Sequence, residues 1–393
     1  MPIRWRDAMN QALYGPGGFF VAGGGPAAHF RTSVHASPAF TTALLRLLTE
    51  VDAALGHPSR LDVVDVGAGR GELLRALVGG AVGVSGEPPS GNVRPSLAER
   101  IRFTAVEYAD RPENLPEEIN WTAEIPDGIT GLLIATEWLD NVPLDVAVHT
   151  ADGWRYVLVD PDSGAETIGE PVTPDDLDWL TTWWPSLTSS PSATSDPDPG
   201  LTSTDATSGS ESGFRAARPA QGSSLTARSW PGCPETPHGN HRAEIGRPRD
   251  EAWANAVRKI SRGLAVAVDY GHLRDERPVD GTLTGYRGGR QVPPVPDGTS
   301  DVTAHVAMDS VASAGAAVAR CAYSMVPQRE ALRALGADGG RPPLSLAGTD
   351  PAGYVRALAA ASAVAELTDP AGLGGHLWLR QPVGIPLGSV VAR

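Results

Sequence analysis

Cysteine is scarce in this sequence, with only Cys233 and Cys321 among 393 residues. Two cysteines cannot form the disulfide framework of a small secreted scaffold, so a reducing compartment suits the chain better. Long apolar runs are also lacking, because no stretch approaches the roughly 18 uncharged apolar residues of a spanning helix. The first residues, M-P-I-R-W-R-D, carry no apolar signal-peptide core. We therefore expect a cytoplasmic protein with no membrane span.

Basic residues are few as well. Lys and Arg total 32 against 46 Asp and Glu, which gives a formal net charge of -14. Extended nucleic acids are bound by clustered Lys and Arg that displace counterions, so this charge argues against a nucleic-acid partner. The hydrophobic fraction of 41% is sufficient for one large core or two moderate cores.

Two stretches contain too little apolar surface to offset the cost of ordering them. Residues 186–248 are dominated by Ser, Thr, Pro, Gly and Asp, which predicts a disordered insertion, and residues 79–95 predict a shorter loop insertion. The chain then divides into an N-terminal helical or lid segment (1–56), a first part of a core (57–185), the long insertion (186–248) and a second part of the core with acceptor-side elements (249–393).

Between these stretches, short apolar runs alternate with helical patterns, which predicts an α/β fold with a doubly wound sheet. The predicted strands are residues 61–66, 102–107, 131–135, 264–270, 318–324 and 376–383, the last antiparallel at or near an edge. The predicted helices are residues 38–55, 71–78 and 354–367.

A glycine loop follows the first of these strands directly. Gly67, Gly69 and Gly71 recur at a spacing of two before a helix, and glycines allow a ligand to approach the backbone beside a helix N-terminus. A dinucleotide site would have G-x-G-x-x-G, but here the third glycine comes one residue early, and no G-K-S or G-K-T indicates a P-loop. The pattern D-x-G-x-G-x-G, which starts at Asp65 and includes Ala68, resembles the first motif of class I methyltransferases. A tight turn without a ligand remains an alternative for the loop alone.

An acidic residue at the end of the next predicted strand supplies a second element of such a site. A carboxylate at Glu107 can accept hydrogen bonds from both hydroxyls of a ribose. The gap between loop and acid exceeds the usual spacing of about 20 residues because of the insertion at 79–95. The alternative is an ordinary exposed carboxylate. Trp121, further along, is either an adenine contact or a core residue.

Segments outside the glycine loop and Glu107 narrow the resemblance to one family of methyltransferases. The segments are A-L-Y-G-P-G-G-F-F (12–20), F-R-T-S (30–33), A-T-E-W-L-D-N-V-P (135–143), V-D-Y-G (268–271), G-T-L (281–283) and D-V-T-A-H-V (301–306). Together they resemble, in order and spacing, the MidA-like methyltransferase family, which includes the mitochondrial assembly factor for respiratory complex I. Gln328 fits the pattern more loosely. The chain departs from the family at Ala28 and His29, which replace Gly-Asp, and at Thr136, which replaces an asparagine.

The resemblance implies class I methyltransferase architecture, S-adenosylmethionine as methyl donor and, from the mitochondrial member, arginine in a protein as acceptor. The acceptor protein is not identified, and a subunit of a respiratory complex is one candidate.

An arginine acceptor would need carboxylates to hold its guanidinium charge. Glu137 and Asp140 are three residues apart beyond a strand end, where open α/β sheets bind ligands, although Asp140 could instead cap a turn. His305 is a candidate proton acceptor or acceptor contact, with a structural role as the alternative.

An N-terminal lid over the methionine end of the donor would exclude water from the site. Tyr14, Thr32 and Ser33 are the candidates for this lid, and Tyr14 could equally be a packing residue. Asp269 and Tyr270 end a strand at the same side, so they are candidates for the border of the acceptor channel.

Two rival functions remain open on the sequence. One is a donor-binding assembly factor without methyl transfer, which the departures at Thr136, Ala28 and His29 favour. The weaker one is a nicotinamide-dependent oxidoreductase. A zinc site at Cys233, His238 and His241 is disfavoured, because the three lie in or beside the insertion and no second cluster completes four ligands.

Overall fold

The computed structural model describes residues 1–22, 33, 38–83, 95–184, 241–337, 339–386 and 388, with side chains left undescribed at 81–83. Most of the predicted long insertion, together with Thr32, Ala28, His29, Cys233 and His238, lies outside the described residues. In chain order the elements are β1 (Ile3–Arg4), α1 (Trp5–Tyr14), α2 (Phe19–Ala22), α3 (Pro38–Ala54), β2 (Leu61–Val66), α4 (Glu72–Gly83), α5 (Leu97–Arg100), β3 (Ile101–Val106), β4 (Ile119–Thr122), β5 (Ile129–Thr136), β6 (Asp145–Thr150), β7 (Gly153–Val159), β8 (Glu166–Pro171), α6 (Pro174–Trp183), β9 (Arg242–Ile245), α7 (Arg247–Arg258), β10 (Ile260–Asp269), β11 (Gly271–His272), β12 (Thr284–Arg287), β13 (Arg290–Val292), β14 (Asp301–Thr303), β15 (Val306–Ala307), α8 (Met308–Ala319), β16 (Ser324–Pro327), α9 (Gln328–Ala334), α10 (Leu344–Thr349), α11 (Pro351–Thr368) and β17 (Leu377–Val383).

A seven-stranded sheet of order β16-β17-β10-β5-β2-β3-β4 forms the centre of the molecule. The five strands from β10 to β4 are parallel, and β17 runs antiparallel to both of its neighbours, β10 and β16. The predicted doubly wound α/β fold is therefore confirmed. The strand predicted to be antiparallel and at or near an edge is β17, which lies one place inside the edge beside β16.

The sheet is covered by helices on both faces, as its almost continuously apolar strands predict. Successive residues of a strand point to opposite faces. Accordingly Val63 packs in a core with α3 and α4, whereas Val64 packs in a second core with α7 and α8. Leu44, Leu47 and Leu48 of α3 are fully buried in the first core, and Leu45 is partly buried against it. Both faces hold the strand ends rigidly, which fixes the loops that follow them.

Three predicted boundaries were wrong. The apolar run around Val318 completes α8, and the strand begins only at Ser324, because a short apolar run does not distinguish a buried strand from a helix end. The helix predicted to end at residue 78 continues to Gly83. The long insertion was predicted to end at 248, but β9 pairs with β6 from Arg242 onward and α7 follows.

A five-stranded antiparallel sheet beside the central sheet was missed by the sequence analysis. Its order is β1-β7-β6-β9, with β8 paired to β7. The hairpin between β6 and β7 has two residues between the paired Thr150 and Gly153, and the sequence A-D-G there is a turn signal that could have revealed it. This sheet anchors α1, since Trp5 and Leu13 are buried against it.

Within the described ranges, none of the helices has both the length and the apolar character that crossing a membrane would require.

Candidate active site

A cavity of about 1200 Å³ opens where β2, β3, β5 and β10 reach their carboxyl ends. Ligands of open α/β sheets bind in this crevice, and the volume exceeds that of most single small-molecule sites. It can therefore hold a donor and the end of an acceptor together. The predicted site residues that line it are Tyr14, Gly67, Gly69, Glu107, Glu137, Asp140, Tyr270 and His305.

The three glycines of the loop have positive φ angles of 73°, 58° and 77°, so the left-handed conformation favours glycine at each. They differ in what a side chain would meet. A Cβ atom on Gly67 would lie 2.9 Å from Trp138 Cδ1, and one on Gly71 would lie 2.6 Å from Leu115 Cδ1. On Gly69 it would meet no atom closer than Glu72 Oε2 at 3.4 Å. Gly69 is thus the loop glycine whose missing side chain leaves open space on the cavity wall.

Glu107 joins the end of β3 to the glycine loop. Its Oε2 accepts a hydrogen bond from the Gly69 amide at 3.0 Å, and Oε1 accepts one from the Tyr108 amide at 2.7 Å. Burial raises the pKa of Glu107, while these amide hydrogen bonds lower it. The carboxylate that was predicted to face a ribose therefore lies directly beside the loop.

Asp65 lies beneath the loop and does not line the cavity. It is only 4% exposed, and burial, with the nearby charges of Glu72 and Glu107, raises its pKa to about 8. Ala68 and Gly71 are also turned away from the cavity. These three residues therefore act on the site through the shape of the loop.

The N-terminal segment reaches the cavity through Tyr14. Its hydroxyl donates to the Asn141 carbonyl at 3.3 Å, and its ring stacks on Phe20 and meets Tyr108 edge-on, both with centroids 5.7 Å apart. Ser33 is fully buried and does not line the cavity. Its amide instead donates to Glu137 Oε1 at 3.2 Å, so the segment holds a carboxylate of the cavity wall.

Glu137 follows β5 with a φ of 51°, a conformation that costs a non-glycine residue free energy and is concentrated at functional sites. Its amide donates to the Val268 carbonyl of β10 at 2.8 Å, which holds the turn in place. Burial raises the pKa of Glu137 to about 8, with Asp140 contributing a smaller repulsion. The side chain is turned into the cavity in its uncharged form at neutral pH.

The side chain of Asp140 accepts more hydrogen bonds than that of Glu137. Its Oδ2 accepts hydrogen bonds from the hydroxyls of Tyr270 and Thr303, while its Oδ1 is buried and has no partner among the described residues. Burial raises its pKa. The turn Leu139–Asn141 is capped by Asp269, whose Oδ2 accepts hydrogen bonds from the amides of Leu139 and Asp140. The capping role that the sequence offered as an alternative for Asp140 is therefore filled by Asp269.

His305 lies beside Tyr270, with ring centroids 5.1 Å apart in an edge-on arrangement, and its amide donates to Thr282 Oγ1 at 2.8 Å. It is open to the cavity yet surrounded by protein, and this desolvation lowers its pKa. Asp301 accepts a hydrogen bond from the Asn141 side chain at 2.6 Å, which links the segment 301–306 to the turn after β5.

Trp121 packs as a core residue rather than against the cavity. Its indole nitrogen donates to the Ala109 carbonyl at 3.0 Å, and its ring packs with Leu115 and the first core. The cavity wall after β4 consists of residues 123–125. Among the residues that the structure describes, no three His, Cys, Asp or Glu side chains form a metal-binding group.

Arg249 was missed by the sequence analysis. It is 1% exposed, and its guanidinium donates to four backbone carbonyls of the two loops that carry Asp140 and His305. The carbonyls are those of Asp140, Val142 (3.1 Å), Ala304 (2.9 Å) and His305 (3.0 Å). Backbone carbonyls have no residue-type signature, so no pattern in the sequence singles out this arginine.

Replacing Arg249 with methionine is expected to lower the free energy of unfolding by about 3 kcal/mol or more, because four buried carbonyls lose their donor. Denaturant unfolding measures this. Arg258→Met is the matched control in the last turn of the same helix, where the exposed guanidinium bonds only to the Asn255 side chain; it should change stability by less than about 0.5 kcal/mol. Equal effects of the two substitutions would contradict the bracing role of Arg249.

Comparisons with known proteins agree with this geometry. A family model described as "Putative S-adenosyl-L-methionine-dependent methyltransferase" matches residues 44–325. A crystal structure from Burkholderia thailandensis with bound S-adenosyl-homocysteine is similar, with TM-score 0.66 and 21% identity over 98% of this chain and 89% of that one. A native crystal structure of an uncharacterized protein from the same organism gives TM-score 0.65 and 21% identity over 100% and 90%.

A search of curated proteins gives no match. The family model covers most of the chain, which disfavours the nicotinamide-dependent alternative and makes S-adenosylmethionine the methyl donor. The chain belongs to this family of S-adenosyl-L-methionine-dependent methyltransferases.

Proposed function

We propose that this protein transfers a methyl group from S-adenosylmethionine to an arginine side chain of another protein. The observation that carries the proposal is the acidic end of the cavity, where the half-buried Glu137 lies together with the buried Asp140 and Asp301. Buried carboxylates favour a cationic ligand, because a positive charge offsets the cost of ionising them. A guanidinium is planar, always charged and able to bond two carboxylates.

The other end of the cavity suits the donor. The open space at Gly69 admits a ligand against the loop backbone, and Glu107 lies within reach of the same space with a carboxylate suited to ribose hydroxyls. We assign Gly67, Gly69 and Glu107 to donor binding, with Tyr14 as the cover and Asp65, Ala68 and Gly71 as supports of the loop. When bound, the donor supplies a methyl group already activated on a sulfonium.

The protein's task is then to orient the acceptor nitrogen toward that methyl group. We assign Glu137 to direct contact with the acceptor. Asp140 lies beside it with an oxygen, Oδ1, that has no hydrogen-bond partner in the described part of the chain, and Ser33 orients the Glu137 carboxylate through its amide. His305 and Tyr270, whose rings pack edge-on, form the adjoining part of the wall. Thr32 remains an untested candidate for the cover.

A donor-binding assembly factor without methyl transfer is the alternative that one specific observation favours. Thr136 replaces the asparagine of the resembling family, and its buried Oγ1 has no hydrogen-bond partner among the described residues. If the asparagine has a necessary contact with the acceptor, the threonine does not replace it.

Labelled methyl donor, added with the purified protein to a lysate of cells that lack it, distinguishes the two functions. We expect label in one or a few proteins, and mass spectrometry should place it on arginine. The protein heated before addition is the control for background transfer. Donor binding by calorimetry with no incorporation would contradict methyl transfer and support the assembly factor.

A further inference from the structure

His376 lies between the turn Leu373–Gly375 and the start of β17, and its imidazole lines the acidic end of the cavity. Its backbone is held on both sides, because the amide donates to the Leu373 carbonyl at 3.1 Å and the carbonyl accepts from the Gln328 amide at 2.7 Å. The ring packs against Tyr270 with centroids 5.5 Å apart. The imidazole therefore has a fixed position on the cavity wall.

The Nδ1 atom of this ring is buried and has no hydrogen-bond partner among the described residues. It lies 3.9 Å from Glu137 Oε1, which is beyond the range of about 2.7–3.2 Å for a direct hydrogen bond. A nitrogen with two N–H bonds can donate to both atoms at once when Nδ1 is the unprotonated ring nitrogen. Such a nitrogen would also satisfy the unpaired buried atom, which otherwise costs free energy.

The protonation states suit this arrangement. Burial, with a smaller repulsion from His305, lowers the pKa of His376 to about 4, so the ring is neutral near pH 7 and its unprotonated nitrogen can accept a hydrogen bond. The other titratable groups around it are Glu137 after β5, Tyr270 after β10 and His305 before β15. Burial raises the pKa of Tyr270 well above its usual value, so its hydroxyl stays neutral.

We propose that His376 is a catalytic residue: its Nδ1 and Glu137 Oε1 together hold the acceptor nitrogen, and Nδ1 takes the proton that this nitrogen gives up. The proposal rests on the proposed arginine acceptor. In the step, the nitrogen electron pair forms a bond to the methyl carbon, and the carbon–sulfur bond breaks with its electron pair left on sulfur. The proton moves from nitrogen to Nδ1. The positive charge lost at sulfur is thus regained on the imidazole, beside the Glu137 carboxylate.

The test is methyl transfer to lysate proteins by the full-length His376→Ala variant. We expect the transfer rate to fall on the order of 100-fold, as is usual for loss of a general base, while donor affinity by calorimetry stays within about twofold. Added imidazole should restore part of the rate, which a purely structural role would not allow. His149→Ala, at an exposed histidine of the five-stranded sheet, is the matched control and should transfer at the wild-type rate.

The outcomes separate the two proposals. If the wild type methylates arginine and the His376→Ala variant does so equally fast, the role of His376 is overturned and the arginine acceptor stands. Label on a residue other than arginine overturns the arginine acceptor, and the same comparison on that residue still decides the role of His376. Absence of any wild-type transfer contradicts both. If the alanine variant unfolds early, His376→Asn replaces it in the test. Loss of transfer in the asparagine variant, with unchanged donor affinity and melting temperature, supports the proposal. Unimpaired transfer by this variant overturns it.

Discussion

Replacing Gly69 with valine is expected to weaken donor binding by more than about 100-fold, or about 2.7 kcal/mol. A side chain at this position meets only Glu72 Oε2, at 3.4 Å, so it would project into the open space beside Glu107. Valine would fill space that we assign to the donor, and it would also push the loop amide away from the Glu107 carboxylate. Calorimetric titration with S-adenosylmethionine and with S-adenosyl-homocysteine measures the loss.

Backbone strain accompanies this substitution, because a β-branched residue at a φ of 58° is unfavourable by about 1–2 kcal/mol. Gly56→Val separates strain from occlusion. Gly56 has a φ of 76° and no atom within 4 Å of a built Cβ, and it precedes β2 at the opposite edge of the sheet from the cavity. Gly56→Val should lower the melting temperature about as much as Gly69→Val does, but it should leave donor affinity unchanged. Equal donor affinity in the two variants would refute the placement of the donor against the loop.

The loop was predictable because its determinants are local. An apolar strand, glycines at positive φ and a following helix are each encoded within a few residues, and β2 begins and ends where the sequence predicts. Glu107 and Glu137 were predictable because carboxyl ends of neighbouring parallel strands meet at one edge of the sheet. The fold class follows from the same alternation of strands and helices.

What could not be predicted depends on contacts distant in sequence. Arg249 is 109 residues from Asp140 and bonds to its backbone carbonyl, so neither spacing nor residue type identifies the pair. His376 starts a predicted strand but belongs to none of the family-like segments, and only the pairing of β17 with β10 brings it beside Glu137. The five-stranded sheet joins β6 and β9 across residues 185–240, so its strand order cannot be read from consecutive elements.

The acidic residues in and beside the cavity share one physical property, which is a raised pKa. Burial is the largest cause of the raised pKa of Glu137, Asp140, Asp269 and Asp301, and repulsion from neighbouring carboxylates adds to it for Glu137, Asp269 and Asp301. Without a cation, protonation is the less costly state for such a group. An entering cation would reverse that balance, so under the proposed function the cavity couples acceptor binding to the release of protons. Glu137 is the member of this group that combines a cavity-facing side chain with an ordinary path to solvent, since its side chain is 17% exposed.

Glu137→Gln is therefore expected to reduce methyl transfer on the order of 1000-fold, or about 4 kcal/mol, while donor affinity changes by less than about threefold. Glutamine keeps the size of the side chain and an oxygen that can accept from the Ser33 amide, so the loss would report the missing negative charge. Asp127→Asn at the cavity rim, where the carboxylate pairs with Lys259 in solvent, removes the same charge and should leave transfer unchanged. Wild-type transfer rates in the glutamine variant would overturn the assignment.

The pH dependence of methyl transfer tests the role of the Glu137 carboxylate more sharply. Because the pKa of Glu137 is raised to about 8 and the carboxylate is the form that holds a cation, kcat/KM of the wild type should rise with pH below about 8 and level off above it. The glutamine variant should lack this rise. Asp65 also has a pKa of about 8, but it lies under the glycine loop, so its titration should appear in donor affinity measured over the same pH range. A wild-type profile that stays flat while donor affinity is constant would show that an ionised Glu137 is not required.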